Sequence, residues 1–143
     1  MSNVDPDLQR NSEATRRLGE LVAGLDEADL QRSLGGGWTV AFALVHLAFW
    51  DARQDVALRG YAQGDPIPSE DETVNASLEA IAGMFDPAAA GAAAVEAAER
   101  IDATSSGLAD RQRSALREAG KEYTFRRWPH REDHIAQIEA ALP

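Results

Sequence analysis

The chain has 143 residues, one domain's length and enough for a sizeable core. Fourteen Lys and Arg against 24 Asp and Glu leave a net charge of −10, the wrong overall sign for gripping the phosphates of duplex nucleic acid. Zero cysteines exclude a disulfide scaffold, a thiolate zinc site and a catalytic thiol.

The opening Met1–Asp7 is polar and acidic, unlike a secretory leader, and no segment reaches the roughly 18 to 20 apolar residues that cross a bilayer. The expectation is a cytoplasmic protein that engages neither nucleic acid nor membrane. Asp5-Pro6 then reads as an N-cap followed by proline at the first helical position, where its missing N–H costs nothing. Leu8, Thr15, Leu18, Val22 and Leu25 follow at spacings of seven, three, four and three, one buried stripe on a helix over 6–26. Gly35, Gly36 and Gly37 stop any helix.

Thr39 is placed to cap a second helix over 39–60. Its first part, Trp38 to Trp50, is apolar except at Thr39 and His46, which predicts burial on several sides. Gly64, Pro66 and Pro68 mark a connection. Ser69 and Glu72 have the spacing of a capping box, opening a short helix with Val74, Leu78, Ile81 and Phe85 inward. Asp86-Pro87 repeats the cap-then-proline signal and opens an alanine-rich helix over 87–104. Beyond it, Leu108, Ala115, Leu116 and Ala119 suit a helix ended by Gly120, and Tyr123 to Phe125 reads as extended. Trp128-Pro129 starts the last helix, over 129–142, with Ile135, Ile138 and Leu142 inward. No alternating run is long enough for a sheet. The expected fold is all-α over 1–143, a single-domain four-helix bundle with a long connection between its second and third helices.

His46, His130 and His134 are all the histidines present. Positions 130 and 134 lie one turn apart on one helix face, the spacing of a chelating pair. His46 sits in the most apolar segment, where an imidazole must find a partner or carry a desolvation cost of about 1–3 kcal/mol. Its alternatives are a core histidine bonded to a carbonyl or carboxylate, and the third ligand of a shared ion. Three imidazoles without a thiolate suit Zn²⁺ or Ni²⁺ ahead of Fe²⁺ or Mn²⁺, and leave a coordination position open, as in catalytic sites.

Trp38-Thr39 followed by His46-Leu47-Ala48-Phe49-Trp50-Asp51-Ala52-Arg53 resembles the second-helix motif of the DinB-like superfamily. His130-Arg131-Glu132-Asp133-His134-Ile135-Ala136-Gln137-Ile138 resembles its final-helix motif, and Val74-Asn75-Ala76 resembles the branch of mycothiol-dependent maleylpyruvate isomerases. The resemblance implies an up-down-down-up bundle, commonly a homodimer, with His46, His130 and His134 on a divalent metal. It also implies isomerase or thiol-transfer chemistry with mycothiol or bacillithiol on a small-molecule substrate. The additional C-terminal domain of some such isomerases has no counterpart here, which counts against maleylpyruvate itself. Two other readings stand beside it: a non-catalytic metal-binding stress or interaction module, and a metal-free bundle.

Other residues carry smaller expectations. Asp51, about 140° around its helix from His46, reads as a solvated helix-end charge, against a role behind a ligand from a neighbouring helix. Glu132 and Asp133 read as exposed. Between positions 111 and 131 there are seven basic residues against two acidic ones, an excess of five. That cluster either draws a small anionic substrate or is a solvated patch paired with acids elsewhere. Trp38, Phe42, Phe49 and Trp50 read as core or dimer interface, and Ser105-Ser106-Gly107 has no histidine near it to make a hydrolase.

Overall fold

Asp5 opens the first helix as a cap should, its carboxylate accepting the Asp7 amide at 3.0 Å with Pro6 in the first turn. In the computed structural model, which describes residues 4–143 and so leaves Met1–Asn3 of the polar opening outside, helix α1 runs Pro6–Ala23. It ends before the expected 26 because Asp26 caps a separate short helix, α2 (Glu27–Leu30). There Asp26 and Asp29 exchange side chain-to-amide bonds of 2.8 and 3.1 Å. The glycine run becomes a tight hairpin between β1 (Ser33–Gly35) and β2 (Trp38–Thr39), a two-stranded ribbon where no sheet was expected. Gly35, Gly36 and Gly37 take φ of 89°, 62° and 84°, a left-handed run in which side chains would be strained.

Thr39 caps helix α3 (Val40–Ala62) by accepting the Phe42 amide at 3.1 Å. Val40, Ala43, Leu44, Leu47 and Leu58 of α3 are all fully buried, as a helix apolar around its circumference requires. The Ser69–Glu72 capping box does not form. The Ser69 carbonyl, which would accept the first helical bond, is taken with that of Pro68 by the Arg53 guanidinium, each at 2.9 Å. Helix α4 therefore starts late, at Val74, after a turn in which Asp71 accepts the Thr73 amide at 2.8 Å. It ends at Ala80, and a separate single turn over Ala82–Met84 replaces the continuous helix expected through Phe85.

Asp86 caps α5 (Pro87–Gly107), which runs past the expected 104. Helix α6 (Asp110–Glu118) stops before Gly120, at φ 71°. Tyr123–Phe125, read as extended, instead belongs to a tight helical turn over Glu122–Thr124. Lys121 O draws back both the amide and the hydroxyl of Thr124, and Asn11 Nδ2 captures the Phe125 carbonyl at 2.7 Å. Helix α7 spans Trp128–Ala141.

The architecture is all-α apart from the hairpin. Helices α3 and α5 share the most extensive interface, α1 packs on α5 and α7, and α7 closes against α3. Leu18, Leu44, Leu47, Ala94, Ile135 and Ile138 form the larger core cluster. Leu58, Ile101, Leu116 and Phe125, with Ile67 from the long connection, form the other. Gly91 of α5 lets α1 come close: a Cβ there would stand 2.6 Å from Val22 Cγ1. No helix among the described residues is long and apolar enough to cross a membrane.

Candidate metal centre

His46 projects from α3 and His130 and His134 from α7, and their rings form a nearly equilateral triangle with centroids 4.8 to 4.9 Å apart. Each offers a ring nitrogen, and these atoms all lie within 4.8 Å of one another. Nitrogens around a tetrahedral zinc, at about 2.0–2.1 Å from it, are separated by about 3.4 Å, so the donor set is close to the span one ion needs. His46 is 6% exposed. Burial, and next the neighbouring His134, lower its imidazole from 6.5 to about 4. Burial, followed by the Arg127 charge, lowers His130 further, to about 2. Both rings are neutral at pH 7, the state in which imidazole ligates.

What lies behind the rings sets their orientation. Asn75 Oδ1 is 3.1 Å from His46 Nδ1 and also accepts the Trp50 indole N–H at 2.9 Å. An indole nitrogen only donates, so the amide oxygen faces both rings and His46 carries its proton on Nδ1, with Nε2 bare. Gln137 Oε1 lies 2.9 Å from His134 Nδ1, placed to accept its N–H. This is the usual support of a metal-binding histidine, whose second nitrogen gives its proton to an oxygen. Trp38 from the hairpin packs its ring 4.9 Å from that of His46 and 6.2 Å from that of His134, and donates to Glu79 at 2.8 Å. Asn75 and Glu79, one turn apart on α4, thus tie that short helix to α3 and to the hairpin.

Asp51 is not a solvated charge. It is fully buried and accepts from Arg127 Nε at 2.9 Å and Arg131 Nε at 3.1 Å. Arg131, also fully buried, bonds Thr15 Oγ1 at 2.8 Å and stands 2.9 Å from Asp102 Oδ1. Arg127 continues to Tyr123 O at 2.9 Å and to His130 Nδ1 at 3.2 Å. Five of the seven basic residues between 111 and 131 are likewise paired with acids. Arg113 pairs with Asp5 at 3.2 Å, Arg117 with Asp7 at 3.0 Å and Arg126 with Asp7 at 3.3 Å. The pairing with distant acids is real, but Arg113, Arg127 and Arg131 make it in the interior and not in solvent.

A pocket of about 310 Å³ opens beside the rings, lined by His46, His130, Trp50, Gln54, Glu70 and Tyr123 among others. Its one guanidinium, Arg127, is neutralised by Asp51. Phe42 and Trp50 are buried, while Phe49 lines a separate apolar groove of about 330 Å³ with Val45, Leu78 and Phe85. Glu132 lies 3.9 Å from Arg17, half-buried, and Asp133 is exposed. Ser105 is wholly buried and lines neither pocket.

An all-α bundle that brings three imidazoles from two helices onto one point defines a class, the helical proteins with a three-histidine group able to hold a metal ion. The chain belongs to the DinB superfamily, whose family model matches residues 10–139. No curated protein and no solved structure matches it.

The residues that the sequence reading missed as supports of the histidines are Asn75, Gln137 and Arg127, while Asp51 takes the role behind a ligand that was its less favoured alternative. Arg127 and Arg131 did carry a signal. They repeat the four-residue spacing of His130 and His134, with Arg127 at the cap that opens α7 and Arg131 within it, so two adjacent rows face inward, onto α1 and α3. Asn75 stood only within the Val74-Asn75-Ala76 motif, with nothing local to tie it to His46, since its contact with α3 spans 29 residues of chain.

Proposed function

We propose that His46, His130 and His134 hold one divalent ion, Zn²⁺ or Ni²⁺, and that the chain is a thiol transferase or isomerase acting on a small molecule with a low-molecular-weight thiol such as mycothiol or bacillithiol. The observation that carries this reading is the convergence of three ring nitrogens beside an open pocket. When bound, the ion supplies Lewis acidity at the inner wall of that pocket. His46 and His130 meet it neutral, so protons do not compete at pH 7. Asn75 and Gln137 fix the ring tautomers of His46 and His134, and Trp38 walls the cluster from one side. Gln54, Glu70 and Tyr123 line the pocket as hydrogen-bonding groups for a substrate.

Metal analysis of chain purified without an affinity tag tests the centre. One ion per chain is expected, with loss of the ion and retention of helical circular dichroism in His46→Ala. Content far below that, unrestored by Zn²⁺ or Ni²⁺, refutes the centre. A second reading, a non-catalytic metal-binding module, is favoured by one observation: the Asp51-paired Arg127 leaves no free guanidinium in the pocket to steer an anionic substrate. Metal-dependent consumption of mycothiol or bacillithiol against a panel of electrophiles supports the enzyme, and its absence supports the module.

We propose further that the working form is a homodimer. The apolar groove at Val45, Phe49 and Phe85 supports this, as do the exposed Ile81 and Met84 in the adjoining segment, 44% and 80% accessible. Light scattering is expected to give twice the chain mass of 15.4 kDa, and a monomer at micromolar concentration counts against it.

A further inference from the structure

Among the described residues, one charge lining the pocket beside the histidines has no counter-charge. Arg127 is matched by Asp51, and Asp51 with Asp102 balances Arg127 with Arg131, so that buried group is neutral as a whole. Asn75 is committed to Trp50 and His46. Glu70 lines the same pocket, is exposed, and enters no ion pair among the described residues. Its contact is the Gln54 amide nitrogen at 3.4 Å, a long one that leaves its oxygens open to a stronger donor.

The connection between α3 and α4 holds Glu70 in place from both sides. Ile67 is buried with Leu58 and Phe125 in the smaller core cluster. Arg53 Nη2 bonds the carbonyls of Pro68 and Ser69, each at 2.9 Å, which pins the chain just before Glu70. The Nη1 of the same guanidinium donates to Gln54 Oε1 at 2.8 Å. With its oxygen so held, the buried Gln54 amide turns its N–H groups toward Glu70. The contact that prevents the Ser69–Glu72 cap is thus the one that brings a carboxylate to the pocket.

An ionised carboxylate accepts hydrogen bonds, donates none, and repels a like charge. We infer that Glu70 is the specificity-determining residue of this pocket: the group taken there bears O–H or N–H donors, as an alcohol or an ammonium, and no carboxylate. This deepens the reading of the pocket as a substrate site and rests on it. Glu70 selects by charge, and the buried Arg127 does not oppose it, because Asp51 has already cancelled that guanidinium.

Ethanolamine, ethylene glycol and glycolate, probes of one size, present an ammonium, a hydroxyl or a carboxylate beside a common hydroxymethyl group. Each is titrated at constant ionic strength into the ¹⁵N-labelled full chain, and shifts of the Trp50 indole and Gln54 side-chain amide signals give its affinity. The parent is expected to prefer ethanolamine to glycolate, and E70Q to lower that ratio about tenfold, the scale of one hydrogen bond to a charged group. E72Q removes an equal charge from the same connection outside the pocket and is expected to leave the ratio where it is. Ethylene glycol separates the two donors. If E70Q weakens it as it does ethanolamine, hydroxyl donors suffice; if E70Q leaves it unchanged, Glu70 reads the ammonium. An unchanged ratio in E70Q, an equal fall in E70Q and E72Q, or no shift with any probe overturns the inference. Metal content is measured on the same samples. A chain that keeps the Glu70-dependent ratio but takes up neither Zn²⁺ nor Ni²⁺ refutes the metal centre alone, and a loaded chain without the ratio refutes the role of Glu70 alone.

Discussion

An Asp51→Ala chain is expected to be about 3–5 kcal/mol less stable than the parent in urea unfolding, the cost of removing one partner from a buried ion pair. Asp51 has no exposed surface, and each of its oxygens holds one guanidinium, Arg127 at 2.9 Å and Arg131 at 3.1 Å. Without it Arg131 retains Asp102 and Thr15, but Arg127 is left with the Tyr123 carbonyl and an imidazole nitrogen as its only acceptors. A largely buried positive charge in that position has no counter-ion. Asp51→Asn is expected to recover little of the loss, because it keeps the shape of the side chain and not its charge. A loss below about 1 kcal/mol, the scale of a surface pair, shows that the interior network does not hold this end of the bundle.

The metal-free chain is also expected to lose stability as the pH falls from about 6.5 to about 4, by roughly 1.4 kcal/mol per pH unit for each buried imidazole. In the unfolded chain both rings protonate near the ordinary 6.5; in the fold His46 resists to about 4 and His130 to about 2. Above 6.5 neither state takes up the proton and the contribution is whole. Below it the unfolded chain binds protons that the fold refuses, and the balance shifts toward unfolding until the folded rings protonate. The depressed carboxyls of Asp5, Asp7, Asp29 and Asp71 act in the same direction from about pH 5 downward, so the upper part of the interval, from about 6.5 to about 5, isolates the histidines. Urea midpoints across that interval for the parent and for a His46→Gln, His130→Gln double variant measure the difference. An equal slope in both assigns the acid sensitivity elsewhere. Adding Zn²⁺ at pH 7 is expected to raise the midpoint, since an ion that binds only the folded chain stabilises it by mass action.

The physical separation of short-range and long-range information runs through every element of the bundle. Asp5, Thr39 and Asp86 cap their helices through bonds to amides two or three residues away, and they do so where their spacing says they should. The Ser69–Glu72 pair has equally good local credentials and fails, because Arg53, about 16 residues upstream, reaches over and takes the carbonyl on which the cap depends. Tyr123 to Phe125 goes the same way, with Asn11 holding the Phe125 carbonyl across 114 residues of chain.

The centre divides along the same line. That His130 and His134 share a helix face follows from a four-residue spacing, and that His46 is buried follows from the apolar run around it; neither needs a partner to be known. That all three meet, that Asn75 and Arg127 stand behind His46 and His130, and that Asp51 is a buried partner of two arginines were decided by packing. The Asp51 contacts span 76 and 80 residues. A carboxylate has the same local sequence whether it faces water or two arginines, and only the closing of α7 against α1 and α3 removes the water.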